Sequence, residues 1–147
     1  MKPLYYIING PNLNMLGIRE PEHYGKDSYA TLVEMLNKKA DELGVELEIF
    51  QSNHEGCLVD KIQEAYFKGA VGIVINPAAY THTSIALLDA VKSVMIPTVE
   101  VHISKVEDRE DFRKVSYVGK AAEKTITGRG LAGYIDALEY LVKHNQN

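Results

Sequence analysis

Apolar residues follow two alternating patterns along the chain. Short, mostly apolar runs predict β-strands, and longer stretches in which apolar residues recur every three or four positions predict α-helices. The predicted strands are 4–9, 45–51, 70–76, 97–102 and a less apolar run at 124–127. The predicted helices are 29–43, 55–68, a helix through 87–94, and 131–142.

Individual positions refine this pattern. Residues 26–28 (Lys-Asp-Ser) offer side chains that can cap the first helix, and Gly44 is expected to end it. Glu46 and Glu48 alternate with apolar residues, which is typical of a strand at the edge of a sheet, whereas the nearly all-apolar strand 70–76 is expected to be covered on both faces. The second predicted helix is expected to bury Cys57, Leu58, Ile62, Ala65 and Tyr66.

The regular alternation of strands and helices predicts right-handed β–α–β units around a parallel sheet. The expected fold is α/β, a flavodoxin-like three-layer sandwich with a five-stranded parallel sheet, and residues 1–147 are expected to form one domain. Sheets of this kind bind ligands beyond the carboxyl ends of their strands. Polar residues gather at those ends, so one rim of the sheet is the predicted functional site: Asn9, Asn12, Asn76, His102 and Ser104.

The connection between the first strand and the first helix is long for a compact domain, and such connections are usually functional or disordered. After a turn-forming cluster at 10–12 it places Arg19 five residues before Tyr24. We interpret residues 16–25 as a lid. A phenol with an ordinary pKa of about 10 is a poor base at neutral pH, and a nearby guanidinium favours the phenolate. Arg19 and Tyr24 are therefore a candidate activated base.

Composition narrows the function classes. The chain has 147 residues, of which 46% are hydrophobic and 24% are charged, which is ordinary for a globular protein. A net charge of -4 argues against nucleic acid as a partner. No apolar run reaches the roughly 18 residues that span a membrane, and the apolar start is too short for a signal peptide, so a cytoplasmic location is expected. The lone Cys57 excludes an internal disulfide and a cysteine metal cluster.

Two of the five histidines, His82 and His102, fall at the predicted rim. Residues 100 and 102 point to the same side of an extended strand, so the Glu100 carboxylate can orient the His102 imidazole. The competing interpretation of His102 is an ordinary histidine whose hydrogen bonds are satisfied. His54, in a turn, and His144, in the polar tail, are interpreted as ordinary residues without a role.

Three other charged residues each allow two interpretations. Asp89 is either a charge on the face of the third helix or a contact to another subunit. Arg109 and Arg113 lie four residues apart and are either solvated charges or a clamp for an anion or hydroxyl group.

Several familiar motifs are missing from the sequence. The phosphate-binding motif G-x-x-x-x-G-K-[ST] is absent, and no acidic pair follows the first strand. The chain also lacks a G-x-S-x-G turn, and no H-x-x-x-H pair or carboxylate cluster argues for a metal. Nucleotide binding through a G-x-x-x-x-G-K-[ST] loop, a phospho-receiver, a hydrolase of the serine-elbow type and a metal site are therefore unsupported.

Three segments together resemble one enzyme family. NGPNLNMLGIREPEHYG, INPAAYTHTSIALLDAV and PTVEVHIS, in this order and spacing, are similar to type II 3-dehydroquinate dehydratases of the shikimate pathway of aromatic amino acid biosynthesis, and the likeness continues to ITGRGLAGY. The resemblance implies a flavodoxin-like fold and a hydro-lyase that converts 3-dehydroquinate to 3-dehydroshikimate through an enolate, with no metal or cofactor. It also implies a homo-oligomer, commonly a dodecamer built from trimers.

The resemblance implies a role for each candidate residue. Tyr24 would remove the C2 proton of 3-dehydroquinate, with Arg19 holding the tyrosine as phenolate. A water held near Asn12 and the backbone at Pro11 and Ala78 would stabilise the enolate.

In the second half of the reaction, as the resemblance implies it, His102 would protonate the departing C1 hydroxyl in an anti elimination, oriented by Glu100. The carboxylate and hydroxyls of the substrate would be bound by Asn76, His82, the backbone at Ile103, Ser104, Arg113 and, across a subunit interface, Asp89.

The sequence departs from the family pattern in one segment. Lys105 stands where an asparagine is usual, and Glu107 and Asp108 stand where histidine and alanine are common. The spacing to Arg113 is unchanged, so its expected role is kept.

Two other functions compete with the dehydratase. One is a non-catalytic module that binds flavin or another small ligand on the same fold. The other is an unrelated lyase or hydrolase that uses the same tyrosine and histidine.

Overall fold

The computed structural model describes residues 1–18, 27–105 and 110–146. Within these residues, five parallel strands form one sheet in the order β2-β1-β3-β4-β5. The strands are β1 (Leu4–Asn9), β2 (Glu46–Gln51), β3 (Gly72–Asn76), β4 (Thr98–His102) and β5 (Lys124–Thr127). The helices are α1 (Tyr29–Leu43), α2 (Glu55–Phe67), α3 (Ile85–Val94) and α4 (Ala132–Asn145).

The strand order reverses at β1, which lies between β2 and β3. From β1 the chain passes to β2 on one side and then to β3, β4 and β5 on the other. The register pairs Asn9 with Asn76 and His102 with Thr127, so the carboxyl ends of these strands meet at one edge. This doubly wound arrangement confirms the predicted α/β fold, and it places the reversal of strand order at the expected ligand-binding edge.

Two apolar layers hold the strands in place. On one face of the sheet, α1 and α4 bury Leu32, Leu36, Tyr134 and Leu138. On the other face, α2 and α3 bury Leu58, Ile62, Leu87 and Val91. Each fully buried aliphatic side chain of this kind contributes about 1.5–3 kcal/mol. The rim of the sheet is therefore a rigid frame for the side chains that follow its strands.

The predicted helix ends and the edge strand are confirmed. The Ser28 hydroxyl accepts a hydrogen bond from the backbone N–H of Thr31 (3.1 Å), and Gly44 ends α1 in the left-handed conformation. Glu46 and Glu48 are exposed on β2, which lies at the sheet edge. Strands β2, β3 and β4 begin one or two residues later than the sequence pattern predicts.

Two residues predicted to be buried on α2 are exposed. Cys57 lies on the exposed side of the helix, and Tyr66 is 58% exposed. The buried stripe of α2 is narrower than predicted and consists of Leu58, Ile62 and Ala65. Cys57 and Tyr66 each lie one position, or about 100°, from this stripe, so both rotate toward solvent.

Among the described residues, no helix is both long enough and apolar enough to span a membrane.

Candidate active site

A pocket of about 190 Å³ opens at the carboxyl ends of β1, β3 and β4. Its lining includes Asn12, Asn76, Ala78, His102, Ile103 and Arg113. Five of these six were predicted site residues, and Ala78 was expected to contribute its backbone. A larger hollow beside Tyr5 and Val142, at the opposite end of the sheet, is lined mostly by apolar residues.

The pocket floor depends on a close approach of two backbone segments. Gly10 follows β1, and its N–H donates to the carbonyl of Asn76 at the end of β3 (2.8 Å). A side chain at Gly10 would collide with the carbonyl group of Pro77. Glycine is therefore required for the two segments to meet at the point where the strand order reverses.

Two non-glycine residues of the lining have the left-handed backbone conformation, Asn12 with φ 70° and Ala78 with φ 53°. Asparagine tolerates this conformation, but alanine adopts it at a cost of about 1 kcal/mol or more. Local hydrogen bonds hold both residues. The Asn12 N–H donates to Oδ1 of Asn53 (3.0 Å), and the Ala78 N–H donates to Oδ1 of Asn76 (3.1 Å). Backbone strain of this kind concentrates at functional sites.

The structure brings Glu100 and His102 together, as the alternation of β4 indicates. Nε2 of His102 lies 2.6 Å from Oε2 of Glu100, and the two side chains are 3% and 0% exposed. Because the Glu100 carboxylate is the acceptor, Nε2 of His102 carries the proton of this hydrogen bond. Nδ1 is the ring nitrogen that this hydrogen bond does not use.

Glu100 is surrounded by two further donors. The Ser116 hydroxyl donates to Oε2 (2.6 Å), and the Thr125 hydroxyl donates to Oε1 (2.9 Å). Burial by itself raises the pKa of Glu100, but the hydrogen bonds from His102, Ser116 and Thr125 and the charge of His102 outweigh it. They hold the pKa of Glu100 below its ordinary value. Glu100 is therefore an ionised carboxylate in the core.

A second buried network orients Asn76. The Tyr134 hydroxyl donates to Oδ1 of Asn9 (2.7 Å) and accepts from Nδ2 of Asn76 (2.9 Å). All three side chains are buried. Burial raises the pKa of Tyr134, although the hydrogen bond from Asn76 opposes this effect, so the group is a neutral phenol. Oδ1 of Asn76 accepts from the Ala78 N–H, so hydrogen bonds fix the orientation of the Asn76 amide at both its oxygen and its nitrogen.

Segment 110–117 carries Arg113 and contacts His82, which lies in the turn after β3 and is not part of the pocket lining. Arg113 lines the pocket, and its Nε donates to Oε2 of Glu110 (2.7 Å). Nδ1 of His82 donates to the carbonyl of Val115 (2.8 Å), which leaves Nε2 of His82 buried without a hydrogen-bond partner among the described residues. The backbone N–H of Tyr117 donates to the carbonyl of Thr81 and ties this segment to the turn after β3.

The remaining predicted residues are placed differently. Ser104 is half-buried directly after Ile103, and Asp89 is exposed on α3. Neither is part of the described pocket lining. Arg19, Tyr24 and Arg109 lie outside the described residues, as does most of the predicted lid.

Three residues of the site were not predicted, namely Ser116, Thr125 and Tyr134. Thr125 pairs with Glu100 in the β4–β5 register, so a correct register would have identified it. Tyr134 falls in the apolar stripe of the last helix, where a tyrosine is indistinguishable from a packing residue. Ser116 lies in an irregular segment and leaves no periodic signal.

Metal binding has no support in the part of the chain that the structure describes. There, no three histidine, cysteine, aspartate or glutamate side chains form a group that could hold an ion.

The chain is similar to one family over almost its whole length. Residues 3–142 match the model described as dehydroquinase class II. The 3-dehydroquinate dehydratase of Lachnospira eligens is 53% identical over 137 residues, which are 92% of this chain and 93% of that protein. The 3-dehydroquinate dehydratase of Caldicellulosiruptor bescii is 54% identical over 132 residues, 90% of this chain and 91% of that protein.

Solved structures that are similar to this chain are named as the same kind of enzyme. The type II dehydroquinase of Butyrivibrio crossotus has a TM-score of 0.91 and 52% identity, covering 95% of this chain and 97% of its own. The type II dehydroquinase of Propionibacterium acnes has a TM-score of 0.90 and 39% identity, covering 97% of this chain and 98% of its own. These matches extend from β1 to α4 and include every element that forms the pocket, and the chain therefore belongs to the class II dehydroquinase family.

Proposed function

We propose that the chain is a 3-dehydroquinate dehydratase of the shikimate pathway, which removes water from 3-dehydroquinate through an enolate to give 3-dehydroshikimate. Family membership supports the reaction. The observation that supports this pocket as the place of reaction is the buried Glu100–His102 pair, because His102 lines the pocket together with the amides of Asn12 and Asn76 and the guanidinium of Arg113. Such a lining suits a polyhydroxylated acid.

The first step is removal of the C2 proton, which is acidic because it is adjacent to the C3 ketone. Tyr24 as phenolate takes this proton, and Arg19 stabilises the phenolate. The residues on either side of the loop that carries Arg19 and Tyr24 support the interpretation of this loop as a lid. A methyl group added at Gly17 would lie 2.6 Å from the carbonyl oxygen of Asp27, so the two described ends of this loop adjoin. Loops with adjoining ends are frequently functional.

The enolate needs a partner for its oxygen. Asn12 and the backbone at Pro11 and Ala78 lie in the lining and are the groups proposed to hold a water against it. The Ala78 N–H is already donated to Asn76, so the Ala78 carbonyl is the atom proposed to accept from that water.

The second step expels the C1 hydroxyl. Charged His102 donates its Nδ1 proton to this hydroxyl, which leaves as water, while the enolate electrons form the C1–C2 double bond and restore the C3 ketone. Nδ1 is the donor because Nε2 is held by Glu100. The protonated imidazolium is the form of His102 that can act as an acid.

The remaining contacts bind the substrate. Asn76, Ser104 and the Ile103 backbone are proposed to bind the carboxylate end, and Arg113 and His82 the ring hydroxyls. Nε2 of His82 is suited to this because it is buried and has no hydrogen-bond partner in the described part of the chain.

Asp89 supports an oligomer. It is exposed on α3 and lies outside the pocket lining of its own chain, so we propose that it reaches the pocket of a neighbouring subunit in a homododecamer built from trimers. We further propose one catalytic domain and a cytoplasmic location.

Product identification tests the proposed function. Purified protein is incubated with 3-dehydroquinate and a chelator, and the mixture is followed by proton NMR and mass spectrometry. The expected result is loss of one water and a new vinyl proton at C2. Unchanged substrate with a coloured, flavin-containing protein would instead indicate a binding module.

A further inference from the structure

We propose that Ser116 and Thr125 are positioning residues for the dehydration, which hold the Glu100 carboxylate ionised and fixed so that the acid proton of the Glu100–His102 pair stays on His102. This inference rests on the proposed function, in which His102 is the general acid. We call Ser116 and Thr125 the hydroxyl pair.

The direction of the Ser116 hydroxyl is determined by its surroundings. The backbone N–H of Gly119 donates to Oγ of Ser116 (2.9 Å), so the oxygen is already an acceptor on that side. The Ser116 hydroxyl therefore donates its hydrogen to Oε2 of Glu100, and the two oxygen atoms lie 2.6 Å apart. The Gly119 N–H and the Ser116 hydroxyl therefore form a chain of donors that ends on Oε2 of Glu100, the same oxygen that His102 contacts.

The backbone is shaped to permit this contact. A Cβ atom at Gly119 would lie 2.9 Å from Oε1 of Glu100 and 3.0 Å from Oγ of Ser116. Since real Cβ atoms do not approach so closely, a side chain at this position would displace the carboxylate or the hydroxyl. The lack of a side chain at Gly119 therefore allows residues 116–119 to pack against Glu100.

The hydroxyl of Thr125 secures the other carboxylate oxygen. Thr125 faces Glu100 in the β4–β5 register and donates to Oε1 at 2.9 Å. On the other side of Glu100, the paired residue of β3 is Ile75, which supplies no charge or donor side chain. His102 supplies the charge that acts on Glu100, and the hydroxyl pair supplies the remaining side-chain hydrogen bonds.

These contacts decide where one proton resides. In an apolar setting a carboxylate beside an imidazolium can take the proton, which converts the charged pair into a neutral one. A neutral imidazole is a much weaker acid toward a departing hydroxyl. Three hydrogen bonds to the carboxylate favour its ionised form, and so they keep the proton on His102. Neither serine nor threonine titrates, so both donate at every working pH.

Paired variants distinguish the effect of losing a hydrogen bond from the effect of changing the side-chain packing. Thr125→Val keeps the side-chain shape and removes the donor, whereas Thr125→Ser keeps the donor. Ser116→Ala removes the other hydroxyl. The first readout is the ¹³C NMR titration of the Glu100 carboxyl in the protein without substrate, with Glu100→Gln used for assignment. Ser116→Ala and Thr125→Val are expected to move this titration to higher pH, and Thr125→Ser is expected to leave it unchanged.

The second readout is kcat and KM against pH. Loss of one hydrogen bond to a charged group is expected to lower kcat about tenfold near neutral pH and to move its acidic limb to higher pH, with little change in KM. If Ser116→Ala does not fold, the two Thr125 variants, on the exposed last strand, carry the test.

The outcomes distinguish this inference from the proposed function. If Ser116→Ala and Thr125→Val shift the Glu100 titration but the wild-type protein does not dehydrate 3-dehydroquinate, the proposed function is refuted and the hydrogen-bonding role stands. Active variants with an unchanged titration, or equal profiles for Thr125→Val and Thr125→Ser, would overturn the role of the hydroxyl pair.

Discussion

Nε2 of His102 and Oε2 of Glu100 lie 2.6 Å apart although both residues are in the fully covered part of the sheet. An ionised carboxylate in such a place is stable only because its oxygens accept several hydrogen bonds. The same contacts that prepare His102 as an acid therefore also link the stability of the fold to pH.

The pKa of Glu100 is lower in the folded chain than its ordinary value. Its stabilising contribution is therefore present above the ordinary glutamate pKa of about 4.3 and is lost as pH falls through the lowered value. We expect the Tm of the wild type to fall in this acidic range more steeply than that of Glu100→Gln. Thermal unfolding from pH 7 downward measures this difference, and parallel curves would show that Glu100 does not contribute.

Tyr134→Phe is expected to lower the free energy of unfolding by about 1–3 kcal/mol, because it leaves Oδ1 of Asn9 and Nδ2 of Asn76 buried without this partner. It is also expected to raise KM, since the Asn76 amide loses one of its two fixed contacts. Tyr140→Phe on the same helix is the matched control, because its hydroxyl makes a long, exposed contact of 3.4 Å with Glu123. Equal effects of the two variants on unfolding and KM would contradict the assigned network.

Arg19→Ala is expected to lose most of its kcat at neutral pH and to recover part of it as pH rises, because hydroxide can then generate the Tyr24 phenolate without help. Each pKa unit between the phenol and the working pH costs about 1.4 kcal/mol. Tyr24→Phe is expected to be inactive at every pH while still binding ligand. The measurement is kcat against pH. A pH-independent loss in Arg19→Ala would mean that Arg19 binds substrate or shapes the loop.

Asp89 is expected to act in the pocket of a neighbouring subunit. Asp89→Ala should therefore raise KM without changing the pH profile of kcat, and sedimentation should show an oligomer. Mixed oligomers of Asp89→Ala and His102→Ala chains should contain some pockets in which an intact Asp89 meets an intact His102. Those pockets should restore the wild-type KM for part of the activity. A fully active monomer would contradict the expected role of Asp89 in a neighbouring subunit.

The fold was predictable because parallel strands buried on both faces leave uninterrupted apolar runs such as 70–76, and the alternation with helices then determines where the strand ends meet. The contact between Glu100 and His102 followed from the two-residue period of a strand.

The residues that support this pair were not predictable in the same way. Thr125 requires the register between β4 and β5, Ser116 requires the path of an irregular segment, and the role of Tyr134 depends on where one hydroxyl points within an otherwise apolar stripe. The mistaken burial of Cys57 and Tyr66 has a related cause, since helical spacing indicates a direction but not the width of the covered stripe.

The central claim is that this pocket dehydrates 3-dehydroquinate through His102. The most direct measurement is the initial rate of ultraviolet absorbance of the conjugated enone product, compared among wild type, His102→Ala and His144→Ala. His144 is exposed near the end of α4, away from the pocket, and serves as the matched histidine control. We expect strong absorbance growth for wild type and His144→Ala, and a loss of at least about 100-fold in kcat for His102→Ala, the lower end of the range for a general acid. No enone from wild type, or equal rates for the two histidine variants, would contradict the claim.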